Sequence, residues 1–527
     1  MRIARLFSLL FVLILLSAGA LQAQDEKVLV VGHAESTDSL DPAHGYTQTT
    51  GIVEQITYDT LVTFPKDSAA TIEPRLATKW DISADGLTYT FTLRDAKFAN
   101  GDPVTADDVL FSFNRLKYVK GNPSYLTDSI ASMSAPDAKT VVITLSAPSP
   151  VFLSLLANGS MSITDAAVVK ANGGSDAETQ PTPDANSVDA AQAYLDAHSA
   201  GSGPYVLDHW TKQTETVLTR NPNYWGTAPY FDRIVITNIP EAATQKTSLE
   251  AGDIDIALDL TSDQITALKD NKDITITSTP GNIIHFLLMN EDPAIGGPMS
   301  KPQVQEAVRL ALDYDGYKAL WGGITPATDL TYGFAGAYGE DKANKRDLAK
   351  AKDLLTQAGY PNGFDITLSY PIFTFQGVNM DTNAQKIQAD LKEVGINVTL
   401  AGQELQVELD NYRNGKEAFG YWFWGPDFLD PADVISFLPG EKVGLRAGWT
   451  ADRGDKTILD LAAQAKVETD PAKRTEIFNK IQDYLLSNGP WAPFIQPNVQ
   501  TAYRSNITGY YWHPQWLVDL SLLSRTS

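Results

Sequence analysis

Alternation of apolar and polar positions supplies the first elements. Leu87, Tyr89, Phe91 and Leu93 are separated by polar residues, the two-residue period of a strand with one buried face. Lys139 to Leu145 is β-branched and predicts a second strand. Between them Asn100-Gly-Asp-Pro103 predicts a turn, and Thr105-Ala-Asp-Asp108 the start of a helix. The stretch Gly173 to Ser187, rich in Gly, Asp, Thr and Pro, predicts an exposed loop. From Lys301 onward the texture changes to long amphipathic helices. Val304, Ala307, Val308 and Ala311 keep the spacing of a buried helical stripe, as do Ala384, Ile387, Leu391 and Val394, with Gly395 as the C-terminal stop. That second helix lies between the strand pattern Phe364, Ile366, Leu368, Tyr370 and the pattern Ile396, Val398, Leu400, a βαβ unit. Ile477, Phe478, Ile481, Tyr484 and Leu485 predict a further helix before Gly489-Pro490. No repeat of solenoid period is present. The chain reads as mixed α/β with two differently textured halves.

Composition narrows this picture. The 527 residues leave room for about three domains or lobes at roughly 150 residues each. With 10% aromatic and 20% charged residues, the chain carries enough apolar surface to order itself. Zero cysteines exclude disulfides, thiolate metal sites and thiol nucleophiles. A net charge of −23 repels phosphate backbones, so the reading assigns no nucleic-acid partner. Met1 to Ala23 has the layout of a secretory signal: Arg2 and Arg5, then apolar Leu6 to Leu16, then small residues with an exit at Ala23 or, alternatively, Ala20. The apolar part is too short for a bilayer span, which needs about 20 residues, and no Cys follows to carry a lipid. The expectation is therefore an exported protein.

Catalytic and cofactor motifs are missing. There is no phosphate-binding G-x-x-x-x-G-K-[ST] loop, no H-E-x-x-H and no G-x-S-x-G. His33, His44, His198, His209, His285 and His513 are scattered without ligand spacing and read as structural. Asp253-x-Asp255 with Asp259 alternates with Ile254 and Ile256, which fits a strand exposing one face better than a calcium loop. The reading is a protein that is not an enzyme, with no cofactor and no metal.

Ordered motifs then carry a resemblance. Ser39-Leu-Asp-Pro42 comes first, then Glu73-Pro-Arg-Leu-Ala77 with Trp80, Leu87 to Leu93, and Asn100-Gly-Asp-Pro-Val-Thr-Ala-Asp-Asp-Val109. Gly201-Ser-Gly-Pro-Tyr205, Asn221-Pro-Asn-Tyr-Trp225 and Leu249-x-Ala-Gly-Asp-Ile-Asp255 follow in order. Together they closely resemble the peptide/nickel class, family 5, of periplasmic solute-binding proteins of ABC importers, over nearly the whole mature chain. The resemblance implies a periplasmic-binding-protein-like α/β fold: two α/β lobes joined by a two-crossing hinge, with an extra subdomain on lobe I. Carried over, 1–23 is the signal peptide, lobe I comprises 24–59, 201–284 and 498–527, the extra subdomain 60–200, and lobe II 285–497. It implies a monomer that captures a small peptide between closing lobes and delivers it to an ABC permease in the inner membrane. Oligosaccharides or opine-like solutes are the alternative ligands within the same fold.

Site residues are expected in three places. Tyr421-Trp-Phe-Trp424 reads as a strand that sets Tyr421 and Phe423 on one face and Trp422 and Trp424 on the other; one pair is expected in the core and the other at the cleft. In peptide-binding relatives an Asp four residues before a Pro pairs with the ligand's α-ammonium, and Asp427 holds that place before Pro431. Asp430 is expected to cap the turn. Dipeptide-binding relatives meet the ligand carboxylate with an Arg in the loop of the βαβ unit; here Pro371 to Thr382 holds no Arg or Lys, and Thr374 takes its place. Phe373 and Phe375 in that loop are expected either to touch ligand or to pack within it. In the loop Gly45 to Gly51, Gln48 and Thr49 are expected at the ligand, with Thr49 or Thr50 as the cap of the following helix. A different class of function, a secreted hydrolase, would use Asp427 and Asp430 as an acid/base pair.

Overall fold

The computed structural model describes residues 26–69, 71–178, 189–372, 374–375, 378–426 and 428–526, with residues 374, 375 and 406 described by backbone alone. The signal-like segment, part of the predicted 173–187 loop, Phe373 and Asp427 lie outside the described residues.

Lobe I is built on a seven-stranded sheet. Its centre is Val28–His33, parallel to Arg233–Asn238 on one side and to Ile256–Ala257 on the other. Leu29 and Val31 point into a core that also takes Ile52, Val53 and Ile56 of the helix Gln48–Thr57. The predicted exposed face of the Asp253 segment is corrected here. Asp255 accepts hydrogen bonds from Val30 N–H and the Arg525 guanidinium, and Asp259 from His33 Nδ1 at 2.6 Å. Both carboxylates are joints between strands rather than solvated groups.

The extra subdomain is a four-stranded antiparallel sheet in which Thr88–Leu93 lies between Ala77–Ile82 and Thr140–Leu145. Tyr89, Phe91 and Leu93 face one core with Val141, Ile143 and Leu145, as their alternation requires. Thr105 and Asp108 form a capping box on the helix Ala106–Val119, which satisfies two orphan N–H groups. Several of the ordered motifs converge on one buried carboxylate. Asp59 accepts from Arg75 Nε at 2.6 Å, Ser202 Oγ at 2.7 Å and Trp225 Nε1 at 2.8 Å. Asp41 does the same for Arg115 Nη1 at 2.7 Å. These motif residues clamp the subdomain to lobe I.

Lobe II holds a five-stranded sheet: Ile396–Gln403, Phe364–Pro371, Phe419–Trp424, Ile284–Met289 and Trp491–Ile495, in that order. The predicted βαβ unit is present as Phe364–Pro371, Met380–Lys392 and Ile396–Gln403, with the two strands parallel. Val304, Ala307, Val308, Ala384, Ile387 and Leu391 fill the core on one face of this sheet, and Ile477, Phe478 and Ile481 fill the core on the other. Gly395 adopts φ +90°, and its carbonyl approaches Gly363 so closely that a Cβ there would sit 1.8 Å away.

Two chain crossings connect the sheets of the two lobes, through 281–283 and through 496–497. They lie side by side, with Gly281 N–H donating to Pro497 O at 2.9 Å. Gln496, 0% exposed, ties them together. Its Nε2 donates to Gly281 O at 2.6 Å and to Tyr332 O at 3.0 Å, while its Oε1 accepts from Tyr332 N–H at 3.0 Å.

Candidate ligand-binding site

A groove runs between the lobes as a string of adjoining cavities. The first, of about 190 Å³, is walled by the start of the helix Gln48–Thr57, by Asn158 to Ser160 of the subdomain, by Pro426 and Leu429 of lobe II, and by Trp516. The second, of about 280 Å³, lies between Thr279–Asn282, Thr331–Phe334 and Trp512. Pro514 lines both. Gln48 joins the first cavity to a small neighbour walled by Leu258–Leu260 and Val499–Thr501. The lining thus comes from both lobes, the subdomain and the hinge.

Trp516 is fixed in place by its neighbour. His513 stacks on it at 3.9 Å between ring centroids. His513 Nε2 donates to Ser68 O at 3.2 Å, and its Nδ1 accepts from Gln515 N–H at 3.1 Å. Burial pushes this imidazole down to about 4, so it is neutral and both nitrogens are satisfied. His285 is also structural. Tyr421 O–H donates to its Nδ1 at 2.8 Å while accepting from Asn383 Nδ2 at 2.7 Å, and burial pushes the ring down to about 3.

The expected site residues fall into distinct groups. Gln48 lines the groove. Thr49 turns away from it: its N–H donates to the Glu35 carboxylate and its Oγ1 to Glu35 O, each at 3.0 Å. The helix cap expected at Thr49 or Thr50 is Thr47, whose side chain accepts from Thr50 N–H. Asp430 caps the turn Pro431–Phe437 by accepting from Ala432 N–H at 2.8 Å, and pairs with Arg474. Asp427 lies outside the described residues, although Pro426 and Leu429 to either side of it line the groove. Thr374 and Phe375 form a two-residue strand paired with Val378–Asn379, and Phe373 is outside the described residues.

The strand Phe419–Trp424 requires a correction. It sits in the middle of a sheet covered on both faces, so both of its aromatic pairs pack inward. Trp422 is 2% exposed, stacks on Tyr412 at 4.3 Å and donates its indole N–H to Glu417 at 2.7 Å. Trp424, 8% exposed, donates to Asp433 at 2.7 Å. Neither is among the described residues that line the groove.

Sequence reasoning missed Glu54, Asn158, Tyr332, Trp512 and Trp516 as lining residues. Only Trp512 and Trp516 carried a signal, as tryptophans in a terminal segment without helical or strand periodicity.

Two α/β lobes on paired crossings, with a groove lined from both lobes, define a solute-binding protein of the hinged, periplasmic type. The chain belongs to the bacterial extracellular solute-binding proteins, family 5, whose middle-region model matches residues 71–443. It is 30% identical over 514 residues, 93% of each chain, to the probable D,D-dipeptide-binding periplasmic protein DdpA of Escherichia coli K12. Among solved structures, the periplasmic binding protein DppA from Helicobacter pylori in complex with the peptide STSA superposes with a TM-score of 0.76. It is 25% identical, covering 96% of this chain and 100% of that one. AgaA from Agrobacterium tumefaciens R10 in complex with agropinic acid gives a TM-score of 0.74 at 25% identity, covering 95% and 99%.

Proposed function

We propose that this protein is the periplasmic binding component of an ABC importer and takes short peptides into the groove between its lobes. The observation that carries the reading is the lining itself. Amide side chains, backbone and Trp516 meet from three parts of the fold around a space of about 190 Å³. Extended peptides can be held there largely through main-chain hydrogen bonds, which give affinity without reading every side chain. The names of DdpA and of the STSA complex support a peptide ligand. An acid such as the ligand of AgaA would meet Glu54 and no cation among the described residues of the first cavity.

In this reading Asp427 pairs with the ligand's α-ammonium, which is largely charged at neutral pH with a pKa of about 7.7–8.0. Residues 1–23 direct export and are removed. The mature chain is a monomer, and its closed form is what the permease recognises, since a ligand shifts a hinge only by preferring one state. Binding proceeds without turnover. Native mass spectrometry of the protein as purified tests all of this at once. A retained mass equal to a short peptide on a monomer is expected; a sugar or opine mass, or conversion of added peptides to fragments, overturns the reading.

A further inference from the structure

Glu54 occupies an unusual position in the first cavity. It lies on the inner side of the helix Gln48–Thr57, is 3% exposed, and is the one charged side chain among the described residues of that lining. Its Oε1 is buried and has no hydrogen-bond partner. Other acids nearby are satisfied. Asp41 is held by Arg115, and Asp38 accepts from Thr50 Oγ1 at 3.0 Å and from Tyr46 N–H at 3.2 Å. Asp59 has its three donors from Arg75, Ser202 and Trp225. Gln55, one residue on, is engaged at both ends of its amide, by Asp519 and Arg75. Of these neighbouring acids, Glu54 is the one with a buried oxygen that no donor meets, a cost that a folded protein ordinarily avoids.

The subdomain keeps room for this carboxyl. Gly159 passes over it so closely that a Cβ would sit 2.6 Å from Glu54 Oε2. The amides of Gln48 and Gln515 line the same cavity.

We infer that Glu54 is a specificity residue of the groove, receiving the cationic side chain of a lysine or arginine in the bound peptide. This rests on the peptide reading above and adds a second charge contact to the one placed at Asp427. The pairing explains the orphaned oxygen. A cation carried in by the ligand supplies the partner that the empty protein lacks, and an uncharged side chain leaves the carboxyl unpaired. Without that cation, burial first, and then Asp41 and Asp38, raise the Glu54 carboxyl well above its usual range. A buried pair of this kind discriminates strongly because losing one partner strands the other.

The test is calorimetric titration of the mature full-length chain with tri-alanine carrying lysine or norleucine at each position in turn. Each peptide is used with a free and an acetylated N-terminus. Wild type is expected to prefer lysine over norleucine at one position by about thirtyfold, the ratio that corresponds to loss of a modest buried pair. Glu54→Gln should reduce that ratio to about threefold or less, while keeping the preference for a free N-terminus and an unchanged or higher thermal midpoint. Gly159→Ala, which keeps the charge and displaces the carboxyl, should give an intermediate ratio. Wild type that binds these peptides without preferring lysine anywhere overturns the inference and leaves the peptide reading standing. So does a Glu54→Gln variant that keeps the lysine preference. A Glu54→Gln variant that loses only the free-terminus preference makes Glu54 the α-ammonium contact and overturns the side-chain assignment. Wild type that binds none of the peptides overturns the peptide reading itself, and the inference with it.

Discussion

The lobe I rim of the groove and the centre of the lobe II sheet each bury a carboxyl, and they do so on opposite terms. In lobe II, Glu417 accepts the Trp422 indole N–H at 2.7 Å on Oε2, while its Oε1 is buried without a donor. Burial, reinforced by Glu408, pushes it up to about 10, so it stays protonated and belongs to the core. In lobe I, Glu54 is raised for the same first reason and its Oε1 likewise faces no donor, but its side chain lines a cavity. Burial by itself does not separate a structural acid from one that awaits a ligand. A cavity beside the carboxyl does.

Substitutions can break that contrast. Trp422→Ala should be the most disruptive, destabilising lobe II by about 3–5 kcal/mol, because it opens a core cavity beside Tyr412 and strands Glu417. Urea unfolding followed by tryptophan fluorescence checks this; a stable variant with lost peptide affinity would put Trp422 at the ligand after all. Asp427→Ala should act the other way, weakening peptide binding by about 2–5 kcal/mol while leaving the unfolding midpoint in place. Titration with a free and an N-acetylated peptide reads it, and equal loss for both would refute the α-ammonium pairing.

The two buried histidines sharpen the contrast by about 2 kcal/mol each at pH 5. His285 in lobe II, at about 3, and His513 beside the groove, at about 4, both lie below the ordinary 6.5 because of burial. The unfolded chain therefore binds protons that the folded chain refuses. Stability is intact above pH 6.5 and falls as pH drops from there towards 4. His513→Gln should flatten that fall in a urea series between pH 7 and pH 5; an unchanged slope would mean that His513 titrates normally. The smallest effect separates two adjacent residues. Gln48→Ala should cost about 1 kcal/mol of peptide affinity, whereas Thr49→Ala, which loses only the Oγ1 bonds to Glu35 and keeps the backbone N–H bond, should cost stability and no affinity. Equal losses of affinity would place both side chains at the ligand.

Much of the architecture was legible, and the reason is local. Tyr89, Phe91 and Leu93, or Ala384, Ile387 and Leu391, reveal their buried face because period alone selects it. The ordered motifs were legible for a different reason: Arg75, Ser202 and Trp225 are fixed by a shared need to satisfy Asp59. The groove was far less legible. Gln48, Asn158, Leu429 and Trp516 meet only after three parts of the chain have folded, and no local pattern encodes that meeting. Trp422 and Trp424 misled because a strand covered on both faces shows no difference between its two sides. Glu54 carries no local sign of burial, yet it is 3% exposed in the fold, with Gly159, more than a hundred residues later, close against it.

Gln496 ties the two crossings to Tyr332 with three hydrogen bonds from one amide group. Tyr332 is part of the groove wall. Any rotation of one lobe about those crossings must therefore carry a section of the wall with it, as a hinge pin cast in one piece with the door frame would. Movement of the lobes and reshaping of the ligand space are geared together, and a substitution at Gln496 would let the two slip.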